Sequence, residues 1–571
     1  MSDVKRAPDR SRDRTQRLEK LHPAETVKAG SNYLRGTIAE GLRAPLTGAV
    51  GGSDTQILKF HGIYEQDDRD LRDERRRQKL EPAYEFMVRL RLPGGICQPA
   101  QWLKLDALAS QFGNGTLRLT TRQTFQFHGI LKKNLKTAIQ AIDAALLDTL
   151  GACGDDTRGV VCTPRPGLLH APLYALAKQV SQHLLPRTRA YREIWLDDKL
   201  LVDGSDDEPI YGPTYLPRKF KIAFVLPPVN DVDVYAQDLG FIAIADDKSL
   251  AGFNVSVGGG MGRSDNEPAT YPRLGDVIGF CPPERVLEVA EHVVGIQRDY
   301  GDRVDRKHAR FKYTLDNRGL DWFKDELQHR VGWQFAQARP YHFESNCDRI
   351  GWEEDIEHAG GAHYTLFVEN GRLKDRALAG LREIARVHGG DFRLTPNQNL
   401  IIAGIAQAER AHVAALLAEH GLDHAPSLLR RNAIACVALP TCGLAMAESE
   451  RYLPTLITKL EGIVAECGLA DTPITVRMSG CPNGCSRPYV AEIGFSGRGP
   501  GTYNVYLGGG FHGQRLNCLY LENVGEARIL AALGPILQRY AAERTPGERF
   551  GDFAIRAGYV REIRAGREFN G

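Results

Sequence analysis

Apolar positions from residue 84 onward spell out five elements in a fixed order. YEFMVRLRL alternates apolar and polar side chains and predicts a strand, whereas PAQWLKLDALASQFG repeats every three to four residues and predicts a helix ending at Gly113. GTLRLT and TFQFHGI are two further short β runs, and KKNLKTAIQAIDAALLDTL again has helical spacing. The same strand, helix, strand, strand, helix order returns over 363–421 in HYTLFVEN, KDRALAGLREIARVHGG, DFRLT, NLIIAGI and AERAHVAALLAEHGL.

The two runs share identities as well as order. Gly115, Arg118, Leu119, Thr120, Gln123, Gly129 and Ile130 match Gly390, Arg393, Leu394, Thr395, Gln398, Gly404 and Ile405, every pair 275 positions apart. Seven matches in one register mark an internal duplication. The following segments correspond more loosely. Cys162 in RGVVCTPRPGL, a helix near 171–185, the strand LPRKFKIAFV and the turn VGGGMG are answered by Cys436, a helix near 449–466, ITVRMSGCPNGC and LGGGFHG. The expected architecture is α+β with pseudo-twofold symmetry. An arm over 1–80 precedes paired modules at 81–150 and 350–424 and two α/β lobes at 151–349 and 425–571.

Composition narrows the partners. The 571 residues allow three or four domains of about 150 residues each. With 73 basic and 71 acidic residues, no global field favours nucleic acid or anionic lipid. No apolar run approaches the ~20 residues of a membrane span, and the charged start MSDVKRAPDRSRDRTQRLEK lacks the apolar core of a secretory signal, so a cytoplasmic location is expected. Residues 1–30 have few apolar positions and are expected to order only on a partner. The run QDDRDLRDERRRQK alternates acids and bases, as a solvated helix or crossing arm does.

Four of the eleven cysteines stand apart. Cys436 and Cys442 lie in ACVALPTCG, Cys481 and Cys485 in RMSGCPNGCSRP, each pair bracketed by turn residues. Four thiolates from two tight turns suit a cubane iron-sulfur cluster, in which each iron takes one soft sulfur ligand. Structural zinc more often uses Cys-x2-Cys pairs, and disulfides are disfavoured without a secretory signal. The remaining cysteines, Cys162 among them, read as packed apolar side chains. Gly508, Gly510 and Gly513 fit a dinucleotide fingerprint, but no helix opens after them, so electrons must come from a partner protein.

Cations recur on or beside the strands of the first half: Arg89 and Arg91, Arg118 and Arg122, Arg158, then Lys219 and Lys221. Residues two apart on a strand share a face. A solvated polar face accounts for any single one of these. The whole set, among apolar neighbours and few acids, implies a large anionic ligand beside the cluster, because buried like charge is costly.

The cysteine spacing, RLTTRQTFQFHGILKKN, YLPRKFKIAF, VGGG and SNYLRGTIAEGL together resemble the haemoprotein (beta) component family of assimilatory NADPH-dependent sulfite reductases, within the sulfite/nitrite reductase family, from about residue 31 to the end. The resemblance implies ferredoxin-like half-modules, two cofactor-binding lobes, and a [4Fe-4S] cluster on Cys436, Cys442, Cys481 and Cys485, with Cys485 bridging to the iron of sirohaem. Arg118, Thr120, Arg122, Gln126, Gly259, Gly260, Arg310 and Asn483 match positions that hold the sirohaem carboxylates and ring. Arg89, Arg158, Lys219 and Lys221 match the residues around sulfite, the arginines as oxyanion clamps and the lysines as proton donors. It further implies a flavoprotein (alpha) partner carrying FAD and FMN and oxidising NADPH. A ferredoxin-dependent sulfite or nitrite reductase shares the fold and cofactors, and a non-catalytic iron-sulfur scaffold would explain the cysteines alone.

Overall fold

The alternating runs become two interlocked sheets. In the computed structural model, which describes residues 17–188, 195–196, 199–200, 208–246 and 249–570, the first module orders its strands Ile63–Asp67, Tyr84–Arg89, Phe125–Ile130, Leu117–Leu119, Arg372–Leu373. The second orders them Gly351–Glu354, Ala362–Leu366, Leu400–Ile405, Asp391–Leu394, Ile96–Cys97. Each sheet ends on a two-residue strand lent by the other module, Arg372 pairing with Arg118 and Phe392 with Cys97. Helices Pro99–Phe112 and Asp375–Val387 pack on each other over one shared apolar core, where the Trp102 and Phe392 rings lie 4.7 Å apart. The modules therefore cannot part without exposing that core and breaking both sheets.

The lobes repeat each other as closely. Val161–Cys162, Ile222–Val225 and Leu239–Asp246 run parallel and continue antiparallel into Ser249–Val257 and Asp276–Cys281. Ala433–Ala435, Val476–Ser479, Ile493–Gly499, Thr502–Leu507 and Cys518–Val524 follow the same plan. From the second strand of each lobe into the third, equivalent positions lie 254 apart: Asp233 and Arg487 both adopt left-handed backbone (φ 48° and 59°) before a short 3-10 turn. Register corrects one expected match. Val161 pairs with Ala223 and Ile434 with Arg477, so Cys162 corresponds to Ala435 and the counterpart of Cys436 is Thr163.

Two other expectations change. LPRKFKIAFV is a strand only over Ile222–Val225, because the preceding segment bonds to the loop carrying Arg158: Leu216 N–H to Asp155 O, Phe220 N–H to Asp156 O and Arg158 N–H to Phe220 O. Residues 17–30, expected to order only on a partner, form the helix Pro23–Ala29 in the first lobe; residues 1–16 of that expectation lie outside the described residues. Glu25 pairs with Arg303, and Lys28 Nζ donates to Leu216 O at 2.7 Å. The charge run gives the exposed helix Arg72–Arg77, as its alternating signs suggested. Among the described residues no helix is long and apolar enough to cross a membrane.

Candidate active site

The four cysteines meet at the ends of two adjacent parallel strands. Cys436 and Cys442 follow Ala433–Ala435, and Cys481 and Cys485 occupy the turn after Val476–Ser479. Backbone N–H groups point at the sulfurs: Gly480 donates to Cys436 Sγ (3.3 Å), and the amides of Leu444 and Ala445 face Cys442. Asn483 Nδ2 lies 3.5 Å from Cys481 Sγ. Burial nevertheless pushes Cys481 up to about 12, with Cys485 next in effect, and raises Cys436 and Cys442 for the same two reasons.

Four thiolates within electrostatic range of one another, ringed by N–H donors, require a cationic metal group to be stable as anions. A cubane spreads its ligands over four irons, so the donor set fits [4Fe-4S] better than zinc. Arg69, from the arm, braces this site by donating to Cys442 O (3.1 Å) and Ala445 O (2.6 Å).

A row of cations runs toward the cysteines across the first sheet. Strand register places Arg89, Gln126, Arg118 and Arg372 side by side on one face. With its amide oxygen turned to Arg89, Gln126 accepts from Nε (3.1 Å) and Nη2 (2.5 Å). Arg118 is less free than the sequence suggested. Its Nε donates to Glu450 (2.7 Å) and its Nη2 to Ala435 O (3.1 Å), while Arg372 Nε takes the other Glu450 oxygen (2.7 Å). Glu450 N–H in turn donates to Cys436 O, so Arg118 ties the sheet to the cysteine lobe.

Among the described residues Arg122 bonds only neutral partners, Gln237 Oε1 (2.7 Å), Gly159 O (2.6 Å) and Ile222 O (3.2 Å), and its buried Nε has none. Burial first, then Arg487 and Arg158, lowers its pKa to about 9, the mark of a cation set for an anion. Thr120 Oγ1 caps its own turn by accepting from Arg122 N–H (3.2 Å). Thr121, absent from the sequence-derived set, reaches Cys485 O (3.3 Å).

Arg89 and Arg158 share a loop. Arg158 donates to Ala152 O (3.3 Å) and Gly154 O (2.9 Å), and between these residues Cys153 Sγ accepts from Arg89 Nη1 (3.2 Å). Lys219 and Lys221 are half-buried and feel the Cys485 charge. Burial, then Arg310, takes Lys219 down to about 7; burial, then Lys219 and Arg310, lowers Lys221 well below the usual lysine range. Arg310 Nη2 donates to Asp238, and Asn483 O and Arg310 both flank Gly262.

The glycine loop needs a second explanation. A Cβ on Gly259 would lie 2.1 Å from Tyr235 O and 2.4 Å from Gln237 O, and one on its counterpart Gly509 would lie 2.2 Å from Ala491 O. Packing of the chain on itself therefore demands glycine at both places. A Cβ on Gly260 would instead meet Arg310 Nη2 at 3.2 Å.

Comparison with known proteins agrees with this arrangement. The family model described as the nitrite and sulphite reductase 4Fe-4S domain matches residues 176–335, and the nitrite/sulfite reductase ferredoxin-like half domain matches 78–145 and 356–420. The first match covers the lobe carrying Lys219, whose repeat carries the four cysteines. Proteins named sulfite reductase [NADPH] hemoprotein beta-component are 60% identical in Methylocella silvestris, over 100% of both chains, and 61% identical in Bordetella petrii, over 98% of this chain and 97% of that one. The structure of Mycobacterium tuberculosis NirA matches at TM-score 0.76 and 26% identity, over 94% of this chain and 97% of that one. A duplicated fold, a four-cysteine site beside a row of cations, and full-length relatives at this identity lead to one conclusion: the chain belongs to the sulfite reductase hemoprotein beta-component family of nitrite and sulphite reductases.

Proposed function

We propose that the chain reduces sulfite to sulfide with a sirohaem and a [4Fe-4S] cluster, which Cys436, Cys442, Cys481 and Cys485 would hold, Cys485 serving both groups, in sulfate assimilation and cysteine biosynthesis. The observation that carries this reading is the convergence of Lys219, Lys221, Arg310 and Arg158 on one electrostatic site with Cys485. Arg310 and Arg158 have Asp238 and Asp156 beside them, but among the described residues Lys219 and Lys221 have no carboxylate partner, and a cluster-only scaffold would leave them without an anion.

When bound, the paired groups supply low-potential electrons to the substrate. The chain's own residues do the rest. Arg89 and Arg158 hold the oxyanion with planar guanidinium forks, set by the loop through Ala152 and Gly154. Six electrons take sulfite to sulfide and its three oxygens leave as water, so protons must arrive as each S–O bond breaks. Lys219, poised near neutrality, and Lys221 deliver them and are recharged from solvent. Arg122, Arg310, Gly260 and Asn483 would hold the carboxylate-rich ring, with Gln126 and Thr120 beside it, Gly259 keeping the loop that carries Gly260 in place, and Arg118 sharing its charge with Glu450.

Electrons come from a flavoprotein (alpha) component carrying FAD and FMN and oxidising NADPH. The test is iron, sulfide and tetrapyrrole analysis of the purified chain, followed by sulfite-dependent oxidation of an artificial reductant. A chain with cluster bands and no tetrapyrrole would refute the reading. Reduction by ferredoxin but not by such a flavoprotein would refute the partner alone.

A further inference from the structure

Gln237 and Asp238 are buried at the entry to strand Leu239–Asp246. One carboxylate oxygen of Asp238 accepts the Lys221 N–H (2.9 Å), both accept from Arg310 Nη2 (3.1 and 3.0 Å), and its backbone oxygen accepts the Gly258 N–H (2.9 Å). Gln237 Oε1 accepts from Arg122 Nη1 (2.7 Å) while its Nε2 is anchored on Val232 O (2.9 Å). Two consecutive side chains thus fix Arg122, Arg310 and Lys221, and their backbone supports the glycine loop.

The second lobe supplies an internal comparison. At the equivalent positions stand Ala491 and Glu492, and one Glu492 oxygen accepts the N–H of Thr475, the counterpart of Lys221, at 2.9 Å. Catching that N–H is therefore what the fold asks of the carboxylate. Among the described residues the other Glu492 oxygen accepts only a backbone N–H, from Gly551 (3.1 Å), and the methyl of Ala491 cannot accept from an arginine. What differs in the first lobe is the pair of contacts to Arg310 and Arg122, two of the cations beside the cysteines.

An acid beside a site for a dianion works against binding by simple charge repulsion. Its presence needs another purpose, and the contacts supply one. We propose that Gln237 and Asp238 are positioning residues for sulfite reduction, holding Arg122, Arg310 and Lys221 in the places where they act without touching substrate. The inference rests on the functional reading above.

The test uses the full chain with its cofactors. Asp238→Asn should lower kcat roughly 10- to 100-fold, the usual effect of removing a partner one shell out, while sulfite affinity from optical titration stays equal or tightens because a repelling charge is gone. Asp238→Glu, acidic like its counterpart Glu492, should recover part of kcat. Gln237→Leu should lower tetrapyrrole per chain at unchanged melting temperature. Unchanged kcat in folded Asp238→Asn, or a loss that Glu does not relieve, overturns the proposal. If the Asn variant does not fold, Gln237→Leu decides, normal tetrapyrrole and kcat overturning it. The parent chain separates the two levels: absence of sulfite turnover there sinks the functional reading, whereas normal parent turnover beside normal Asp238→Asn sinks only this inference.

Discussion

Asp233 and Arg487 occupy the same position in the two lobes, and the Arg487 Nε donates to the Asp233 carboxylate. The remaining Arg487 nitrogens reach Thr121 O (3.4 Å) and Pro396 O (3.1 Å), themselves counterparts in the two modules. Equivalent atoms of both repeats therefore meet at one point, which places the pseudo-twofold axis there. Identical side chains at that point would repel if charged, and the opposite charges remove this conflict. Arg477 Nη1 adds a second bond to Asp233 at 2.6 Å.

Breaking this pair from the acid side should be severe. Asp233→Ala leaves Arg477 and Arg487 buried without their partner, and breaking a buried pair costs about 3–5 kcal/mol. Urea unfolding of the two chains measures it. A loss below about 1 kcal/mol, the range of exposed pairs, would show that the axis does not depend on this contact.

Acid should weaken the tie between sheet and cysteine lobe. Burial alone would raise the Glu450 pKa, but Arg118 and Arg372 overcome it and hold the group at about 2 instead of 4.5. A depressed carboxylate stabilises the fold fully above its unfolded pKa, near 4.5, and this is lost as pH falls through about 2. The shift corresponds to about 3 kcal/mol. Glu450→Gln should therefore lose stability at neutral pH and show a smaller stability difference between pH 6 and pH 3 than the parent chain. Equal slopes would refute the linkage.

Arg118 also shows why the site was legible in part. Its sequence neighbours contain no acid, so it reads as an anion receptor; its acid partner lies 332 residues away. Asp238 escaped notice for the same reason, because its value lies in Arg310, 72 residues on. What could be read was local or periodic: turns around cysteines, cations on strands, and identities at a fixed spacing of 275. Strands Ile63–Asp67 and Gly351–Glu354 were missed because their burial is only partial and their residues are mostly polar. The exchanged strands, two residues each, carry no period at all. At Gly259, matched to the tetrapyrrole by resemblance, carbonyls of the chain's own backbone require glycine as well, and no sequence pattern shows those carbonyls.

Arg69 should govern how long the cluster survives. Its guanidinium spans two carbonyls of the loop bearing Cys442, beside the exposed Leu444. Arg69→Ala removes both bonds and leaves the loop freer to open to solvent. Cluster absorbance in air should bleach several-fold faster while the melting temperature changes little, since a partly exposed contact contributes about 1 kcal/mol or a little more. A bleaching rate equal to the parent's would rule this out.

The lysines give the sharpest test of the chemistry. Lys219 is held near 7 by burial first and then by Arg310, with Arg158 and Arg218 adding to the effect and Cys485 opposing it. Below that value it carries a proton to give, and above it the donor is spent, so sulfite turnover at saturating reductant should fall as pH rises through about 7. Lys219→Met should abolish this limb and lower turnover at pH 6.5 by about 100-fold, within the range attributed to one proton donor. Lys221, lowered by burial, then by Lys219 and Arg310, should show a comparable loss on replacement by Met. Neither replacement touches a cysteine, so cluster and tetrapyrrole spectra should persist and exclude simple loss of cofactor. A Lys219→Met chain that reduces sulfite at the parent rate, with the same pH dependence, would remove these ammonium groups from the proton path and leave Arg89 and Arg158 as the cations that serve the substrate.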